Sequence, residues 1–188
     1  RISDISERAG LSHGSFYHYF DSKEQVFREV AENLEAQLTA PANGDGDGDG
    51  DGDGDGDTPV VVAAPASEYE RILAANRVYL DRYRANARIM GVIEEVSRYD
   101  DHVNQARMRR QQHFADRAER AIRRLQAAGQ ADPLVDPAIA ALALGSMVAR
   151  TAELWLVEGW GDYHLDVVAE QVTRLWANAL GLAVPGPG

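Results

Sequence analysis

The residues best suited to chemistry lie in one short stretch near the start of the chain, residues 11–23. It combines hydroxyl, imidazole and phenol groups with one glycine and with Lys23, the only lysine in the sequence. Short side chains at the beginning of a helix let the helix approach base edges, while hydroxyls and a lysine further along can reach phosphate oxygens. These residue types therefore suit contact with a nucleic acid.

Two helix starts are expected within this stretch. Ser12 is a good N-cap for a short helix, and Ser22 opens another helix with Gln25 at the capping-box spacing. Upstream, residues 2–9 are predicted to form a further short helix that Gly10 ends. A short helix, a turn containing glycine and a second short helix have the proportions of a helix-turn-helix, whose second helix would enter a DNA groove.

The same residues resemble a known family. The run DISERAGLS at positions 4–12, glycine at 14, the aromatic pairs at 16–17 and 19–20 and the Ser-Lys pair at 22–23 are similar to the DNA-binding signature of TetR-type bacterial transcriptional regulators. The resemblance covers about the first 35 residues. Family members have a further helix before this point, so we expect residues that precede Arg1 to be missing.

The resemblance implies a set of DNA-contacting residues. Those at base-contacting positions are His13, Gly14 and Tyr17. Those at phosphate-holding positions are Ser15, Tyr19 and Lys23. Further candidates are Ser3, Ser12 and His18, although an ordinary exposed histidine is the simpler interpretation of His18.

The charge of the chain bears on this interpretation. The formal net charge is −11, but seven of the carboxylates lie in one tract at residues 44–57, and −4 remains for everything else. Residues 1–38 hold four Lys/Arg against seven Asp/Glu, which is not the basic footprint expected of a DNA-binding segment. A helical ligand-binding dimer that no longer binds DNA is therefore kept as an alternative.

Several kinds of site are disfavoured by the sequence. There is no cysteine, which excludes disulfides and thiolate chemistry, and the five histidines have no metal-binding spacing. Gly145-Ser146-Met147 lacks the second glycine of a nucleophile elbow. No cofactor or metal is expected, and a helical enzyme is only a distant alternative. By sequence, no apolar stretch is expected to reach the length that spans a bilayer, so no membrane association and a cytoplasmic location are expected.

The chain divides into four parts. Residues 1–38 form the helix-turn-helix and a connecting helix, and residues 39–66 form a linker that contains seven Gly-Asp repeats at 44–57. Such a repeat cannot bury apolar surface, so disorder is expected, and its period of two lacks the apolar position of calcium-binding repeats. Residues 67–182 are assigned to ligand binding and dimerisation, and residues 183–188 to a frayed tail.

Helical spacing of apolar residues predicts helices at 68–85, 88–99, 103–128 and 166–180, with another starting at Asp136-Pro137. The third of these is rich in arginine, and we interpret the arginines as a solvated face: Arg109, Arg110, Arg117, Arg120, Arg123 and Arg124. The fold class is therefore all-α and TetR-like. Aromatic and polar residues in these helices could form a pocket for a small, largely apolar effector, although such residues also suit a plain core. The candidates are Tyr79, Tyr83, Met90, Tyr99, His102, Phe114, Met147 and Trp155.

Residues 138–149 are apolar on all sides apart from Ser146, so both sides of this helix must be covered. A second copy of the chain would cover one side, and two helices from each copy would form a four-helix interface, as the resemblance implies. The expected interface residues are Leu142, Val148, Val168, Val172, Leu175 and Trp176. The resemblance thus implies a homodimeric regulator of a palindromic double-stranded DNA operator, and we expect a repressor released by its effector.

Overall fold

The computed structural model describes residues 1–39 and 67–186, without the side chain of His13. The linker with its Gly-Asp repeat and the last two residues of the tail lie outside the described residues. The described residues form eight helices and no strand, which confirms the all-α fold class. The helices are α1 (Ile2–Arg8), α2 (His13–Tyr19), α3 (Lys23–Thr39), α4 (Glu68–Ala85), α5 (Ala87–Val96), α6 (Asp101–Ala127), α7 (Pro137–Leu156) and α8 (Leu165–Leu180).

Local capping signals explain where most of these helices begin and end. Asp136 accepts a hydrogen bond from the backbone N–H of Ile139 at 2.9 Å, with proline at the first position of α7. After α6, Gly129 takes a left-handed φ of +68°, which only glycine adopts at low cost. The sequence predicted both boundaries because each depends on one or two neighbouring residues.

The boundary between α5 and α6 differs from the prediction. The carboxylate of Asp100 accepts hydrogen bonds from the backbone N–H groups of His102 and Val103 at 3.0 and 3.2 Å, so Asp100 is the N-cap of α6. Helix α6 therefore begins at Asp101 rather than at residue 103, and α5 ends at Val96 rather than at residue 99.

Helix α4 lies at the centre of the larger domain. Leu80 and Tyr83 are almost completely buried, and they belong to one core with residues of α3, α5, α7 and α8. A polar contact joins α4 to α8, because Asn76 donates from Nδ2 to Thr173 Oγ1 at 2.9 Å and Thr173 donates to the carbonyl of Ala169. This packing fixes the elements that surround the cleft described below.

Helix α7 corrects one expectation, since it has the length and apolar composition of a membrane span. The expected apolar stretch ended before Arg150, but the helix continues to Leu156, and Arg150 pairs with Glu153 at 2.6 Å. Its inner face, with Leu144 and Val148, is buried in the hydrophobic core of the domain. A helix that packs in the core of a folded domain can have the same length and apolar composition as a membrane span.

The expected dimer interface also needs correction. Three of its residues lie in the core of the single chain, with 4–8% of their surface exposed, because α4 and α6 cover the faces that carry them: Val148, Val168 and Val172. Trp176 is partly buried. The apolar side chains that α7 and α8 leave more than half exposed are Ile139, Leu142, Val167 and Leu175. Leu142 and Leu175 are thus the two predicted interface residues whose side chains are more than half exposed in the single chain.

Candidate nucleic-acid interface and ligand cleft

The turn between α1 and α2 is closed by two backbone hydrogen bonds. Leu11 donates to the carbonyl of Ser6 at 2.8 Å, and Gly10 donates to the carbonyl of Glu7 at 3.1 Å. This pair of bonds requires a left-handed residue at Gly10, whose φ is +68°. The glycine therefore sets the angle at which α2 leaves α1, as expected for a helix-turn-helix.

The first turn of α2 is organised by two serines. Ser12 Oγ accepts a hydrogen bond from the backbone N–H of Ser15 at 3.1 Å, and the two hydroxyl oxygens lie 2.8 Å apart. A Cβ atom added to Gly14 would meet only Ser12 Oγ, at 3.9 Å, so packing within the chain does not require a glycine there. The absence of a side chain at Gly14 leaves the outer surface of α2 open to close approach.

The aromatic residues of α2 are divided between the inside and the outside. Phe16 is 3% exposed and packs against Phe20 with ring centroids 5.6 Å apart, so Phe16 belongs to the core. Tyr17, His18 and Tyr19 are exposed, and the His18 and Tyr19 rings meet edge to face at 5.2 Å. The buried phenylalanine thus holds the helix while three ring side chains point away from the core.

The remaining DNA-contacting candidates lie nearby on exposed surface. Lys23, at the first position of α3, has its Nζ 3.5 Å from Glu24 Oε1, and both side chains are exposed. The start of α3 is fixed by Gln25, whose N–H donates to Ser22 Oγ and whose Oε1 accepts from the N–H of Asp21. Ser3 is exposed on α1 and donates to Asp4 Oδ1 at 3.2 Å.

Part of the acidic character of residues 1–38 comes from side chains that pair with α6. Four of the seven acidic residues lie on α3, and two of these face α6: Glu32, 2.6 Å from Arg109, and Glu35, 2.9 Å from Arg110. Arg28 of α3 also pairs with Asp100, and its hydrogen bond holds the pKa of that carboxyl below its usual range. These ion pairs join α3 to the larger domain. The two helices before α3 lie within residues 1–20, which hold two arginines and two acidic residues and therefore carry no net charge from these side chains.

Two of these charged groups are buried. Glu35 and Arg110 are 3% and 4% exposed, and they lie beside Glu94 and Arg107, which pair at 2.6 Å. Burial raises the pKa of the Glu35 carboxyl, although Arg110 opposes the shift. Burial disfavours the charge on Arg110, but Tyr79, Glu35 and Glu94 outweigh that effect and raise its pKa.

A cleft of about 620 Å³ lies between α4, α6 and α7 and reaches α8 at Trp176. Of the eight predicted ligand residues, Tyr79 and Phe114 line it. The other six lie elsewhere. Tyr83 is in the core, and Met147 and Trp155 pack against it. Met90 borders a smaller cavity of about 240 Å³ beside α3. Tyr99 is 74% exposed, and His102 lies 3.7 Å from Glu32.

The polar side of this cleft was not predicted from the sequence. Arg110 lines it from α6, yet this arginine was assigned to a solvated face. Asn76 and Trp176 also line it and were not selected as ligand residues. Among residues 1–39 and 67–186, no three His, Asp or Glu side chains are grouped so that they could hold a metal ion.

Comparisons with known proteins agree with this geometry. Residues 1–30 match the family model for bacterial regulatory proteins of the tetR family. The structure is similar to that of a candidate TetR-family transcriptional regulator from Rhodococcus sp., with 16% identity, a TM-score of 0.66 and coverage of 96% of this chain and 87% of that chain.

Two further structures are similar. For the TetR-family transcriptional regulator PfmR from Thermus thermophilus, the identity is 19%, the TM-score 0.62, and the coverage 95% of this chain and 87% of that chain. For SmeT, the repressor of the Stenotrophomonas maltophilia multidrug efflux pump SmeDEF, the identity is 18%, the TM-score 0.50, and the coverage 97% of this chain and 82% of that chain. No curated protein sequence matches the chain. Residues 1–30 are thus similar to the N-terminal segment of bacterial regulatory proteins of the tetR family, and the chain has the fold of solved TetR-family transcriptional regulators.

Proposed function

We propose that the protein is a homodimeric, cytoplasmic DNA-binding regulator, a repressor that a small ligand releases from a palindromic operator. The observation that carries this proposal is the arrangement of α2. Phe16 anchors the helix in the core, while Tyr17, His18 and Tyr19 are exposed on the second helix of a helix-turn-helix. In this motif the second helix contacts base edges and the surrounding groups hold phosphates.

The surroundings of α2 support the same assignment. Gly14 leaves space on the outer surface of α2, and the exposed Lys23 is the first residue of α3. We assign base contacts to His13, Gly14 and Tyr17, and phosphate contacts to Ser15, Tyr19 and Lys23. Ser3, Ser12 and His18 complete the proposed interface.

Dimerisation is supported by apolar surface that the single chain leaves uncovered. Leu142 is 64% and Leu175 is 53% exposed, and both belong to helices whose other faces are buried. Covering such side chains in a four-helix interface stabilises association through the hydrophobic effect. A two-fold dimer would set two copies of α2 about 34–36 Å apart, or at a multiple of one DNA turn.

Release by a ligand requires a connection between the cleft and α2. Helix α3 follows the DNA-binding helices directly and is held against α6, which lines the cleft, by the pairs of Arg28, Glu32 and Glu35. A ligand that favours a different position of α3 changes the separation of the two copies of α2. Typical couplings of 1–3 kcal/mol correspond to about 5- to 150-fold in operator affinity, and operator DNA must weaken ligand binding by the same factor.

The repressor assignment is a finer step, supported by the structural neighbour SmeT, which is a repressor. The alternative of a ligand-binding dimer without DNA binding was based on the acidic first 38 residues. Glu32 and Glu35 pair with arginines of α6 and Arg28 pairs with Asp100, so three basic and five acidic residues of this segment remain outside these pairs. The DNA-binding experiment below separates the two alternatives. A helical enzyme stays a distant alternative, because the sequence has no complete nucleophile elbow and no metal-binding spacing of histidines.

Fluorescence anisotropy with DNA from beside the protein's own gene tests the proposal. We expect specific binding, with a logarithm of the binding constant that falls linearly with the logarithm of the salt concentration. Addition of a suitable effector should lower the binding constant further. Equal affinity for this DNA and for random DNA of the same length at every salt concentration would contradict it.

A further inference from the structure

The residues that line the cleft include more arginines than acids, although the protein as a whole is acidic. Its lining holds one acidic residue, Glu68, and four arginines, Arg71, Arg110, Arg117 and Arg124, whereas the formal net charge of the chain is −11. Arg71 pairs with Glu68 at the edge. An excess of positive charge in a concave site favours an anionic ligand.

Two donors beside the cleft have no hydrogen-bond partner among the described residues. They are Nη1 of Arg110 and Nε1 of Trp176, and both atoms are buried. The guanidinium of Arg110 uses Nε toward Glu35 at 2.9 Å and Nη2 toward Glu94 at 3.6 Å, which leaves Nη1 unpaired. Because unpaired buried donors are costly, these two side chains indicate that an acceptor belongs near them.

The walls of the cleft are mostly apolar. Ile72 of α4, Phe114 and Leu125 of α6 and Val148 of α7 contribute to them, together with several alanines. A volume of about 620 Å³ is within the range of sites that enclose small organic molecules. A ligand that fills this space needs a hydrophobic body as well as an acceptor for the arginine.

We propose that the cleft binds an amphipathic carboxylate, a molecule with a hydrophobic body and one terminal carboxylate, and that this carboxylate pairs with Arg110 in place of Glu35. A carboxylate is the favoured head group because Arg110 already pairs with the carboxylate of Glu35. The planar guanidinium of arginine matches two carboxylate oxygens at once. Neither oxygen of Glu35 accepts a well-aligned hydrogen bond from the described residues, so the present pair is held by the attraction of its charges.

Glu35 can be left without Arg110 because its carboxyl can take up a proton from solvent. Burial already raises its pKa, and loss of the neighbouring guanidinium would raise that pKa further. The exchange then removes a buried link between α3 and α6. This regulatory consequence rests on the proposed function, whereas ligand binding itself does not.

Isothermal titration calorimetry of the full-length protein without DNA tests the proposal. Three probes share a ten-carbon chain and differ in the charge of the head group: decanoate, 1-decanol and decyltrimethylammonium. We expect decanoate to bind at least tenfold more tightly than either of the others. Glu35→Gln should tighten decanoate binding further, because the variant removes the competing carboxylate but keeps Arg110.

Arg110→Met alone would leave a buried carboxylate and could unfold the domain, so the pair is removed together. In the double variant Glu35→Leu, Arg110→Met, the preference for decanoate over 1-decanol should disappear while 1-decanol still binds. Arg120→Met, which changes an exposed arginine of α6 outside the cleft, should keep the preference. Equal binding of the three probes to the parent, or an unchanged preference in the double variant, would overturn the proposal even if the protein binds DNA.

Discussion

Arg110 Nε lies 2.9 Å from Glu35 Oε2, and this buried contact joins the helix that lines the cleft to the helix that follows the DNA-binding helices. Removing only one member of such a pair leaves an uncompensated charge, whereas replacing both is often neutral. The contact therefore contributes less to net stability than to fixing the position of α3 on α6. Its position makes it the structural basis of the proposed switch.

The first prediction concerns phosphate contacts. Lys23→Ala should weaken binding to all DNA sequences alike and reduce the salt slope by roughly one unit, because one phosphate is no longer neutralised. Tyr19→Phe should weaken binding without changing the slope. Tyr99→Phe is the matched control, since Tyr99 is exposed on the larger domain. Affinities of Lys23→Ala and the parent that coincide across a salt series would refute the assignment of Lys23.

The second prediction concerns base contacts. His13→Ala should change which base is preferred at one operator position, by about 1–3 kcal/mol, and should leave the salt slope nearly unchanged. Competition binding with operators that differ at single positions measures this effect. A uniform loss of affinity for every operator would instead indicate a structural or phosphate role for His13.

The third prediction concerns assembly. Leu142→Glu with Leu175→Glu places charges on apolar surface that the single chain leaves exposed, so the protein should become a folded monomer with weak operator binding. Analytical ultracentrifugation and circular dichroism measure the two effects. Val172→Glu, by contrast, should unfold the domain, because Val172 is 4% exposed within one chain.

The control for assembly is Val92→Glu, a change at an exposed position of α5 that should leave the dimer intact. A Leu142→Glu, Leu175→Glu variant that still sediments as a dimer would place the interface elsewhere.

The fourth prediction concerns pH. Burial raises the folded-state pKa of Glu35 above the unfolded value of about 4.3. The contribution of the protonated carboxyl to the free energy of unfolding is therefore complete below pH about 4.3, and it is lost as the pH rises through the folded-state pKa. Glu35→Gln, which stays neutral, removes this titration, so the free energy of unfolding of the parent should fall relative to that of the variant as the pH rises through the raised pKa. Urea unfolding across this pH range measures the difference.

Glu32→Gln is the matched control on the same helix. Glu32 is exposed and pairs with Arg109, so this change should alter stability by no more than about 1 kcal/mol. A Glu35→Gln variant that loses stability relative to the parent as the pH rises would show that the buried pair stabilises the fold.

The fifth prediction concerns the Gly-Asp repeat, which lies outside the described residues. Excising residues 44–57 should change the melting temperature and the dimer little, because loop closure costs only about 0.6 kcal/mol per doubling of loop length. Thermal unfolding with and without calcium measures this. A calcium-dependent stabilisation that disappears with the excision would show that the repeat binds the ion.

Those parts of the structure that depend on neighbouring residues could be predicted from the sequence. The caps at Ser12 and Asp136, the glycine at position 129 and the periodicity of α4 fixed helix boundaries to within a residue or two. The helix-turn-helix was found because its turn and its aromatic residues lie within a short, specific motif.

The cleft could not be predicted in the same way, because its lining comes from four helices that are far apart in the sequence. Arg110 is one of several arginines on α6, and only the position of Glu35 on α3 distinguishes it from Arg120 on the solvent side. Tyr99 illustrates the reverse case, since α5 ends before it and leaves its ring exposed. Periodicity identifies an apolar face but not the helix that covers it.

Hydroxyl-radical footprinting on DNA from beside the protein's own gene tests the central claim most directly. If α2 of each protomer enters a major groove, the parent should protect two related half-sites on one face of the duplex, about 10–10.5 base pairs apart or a multiple of that. The Leu142→Glu, Leu175→Glu variant should lose both protections together. Absence of any protection by the parent at low salt, or a single protected half-site that the monomeric variant retains, would contradict the account.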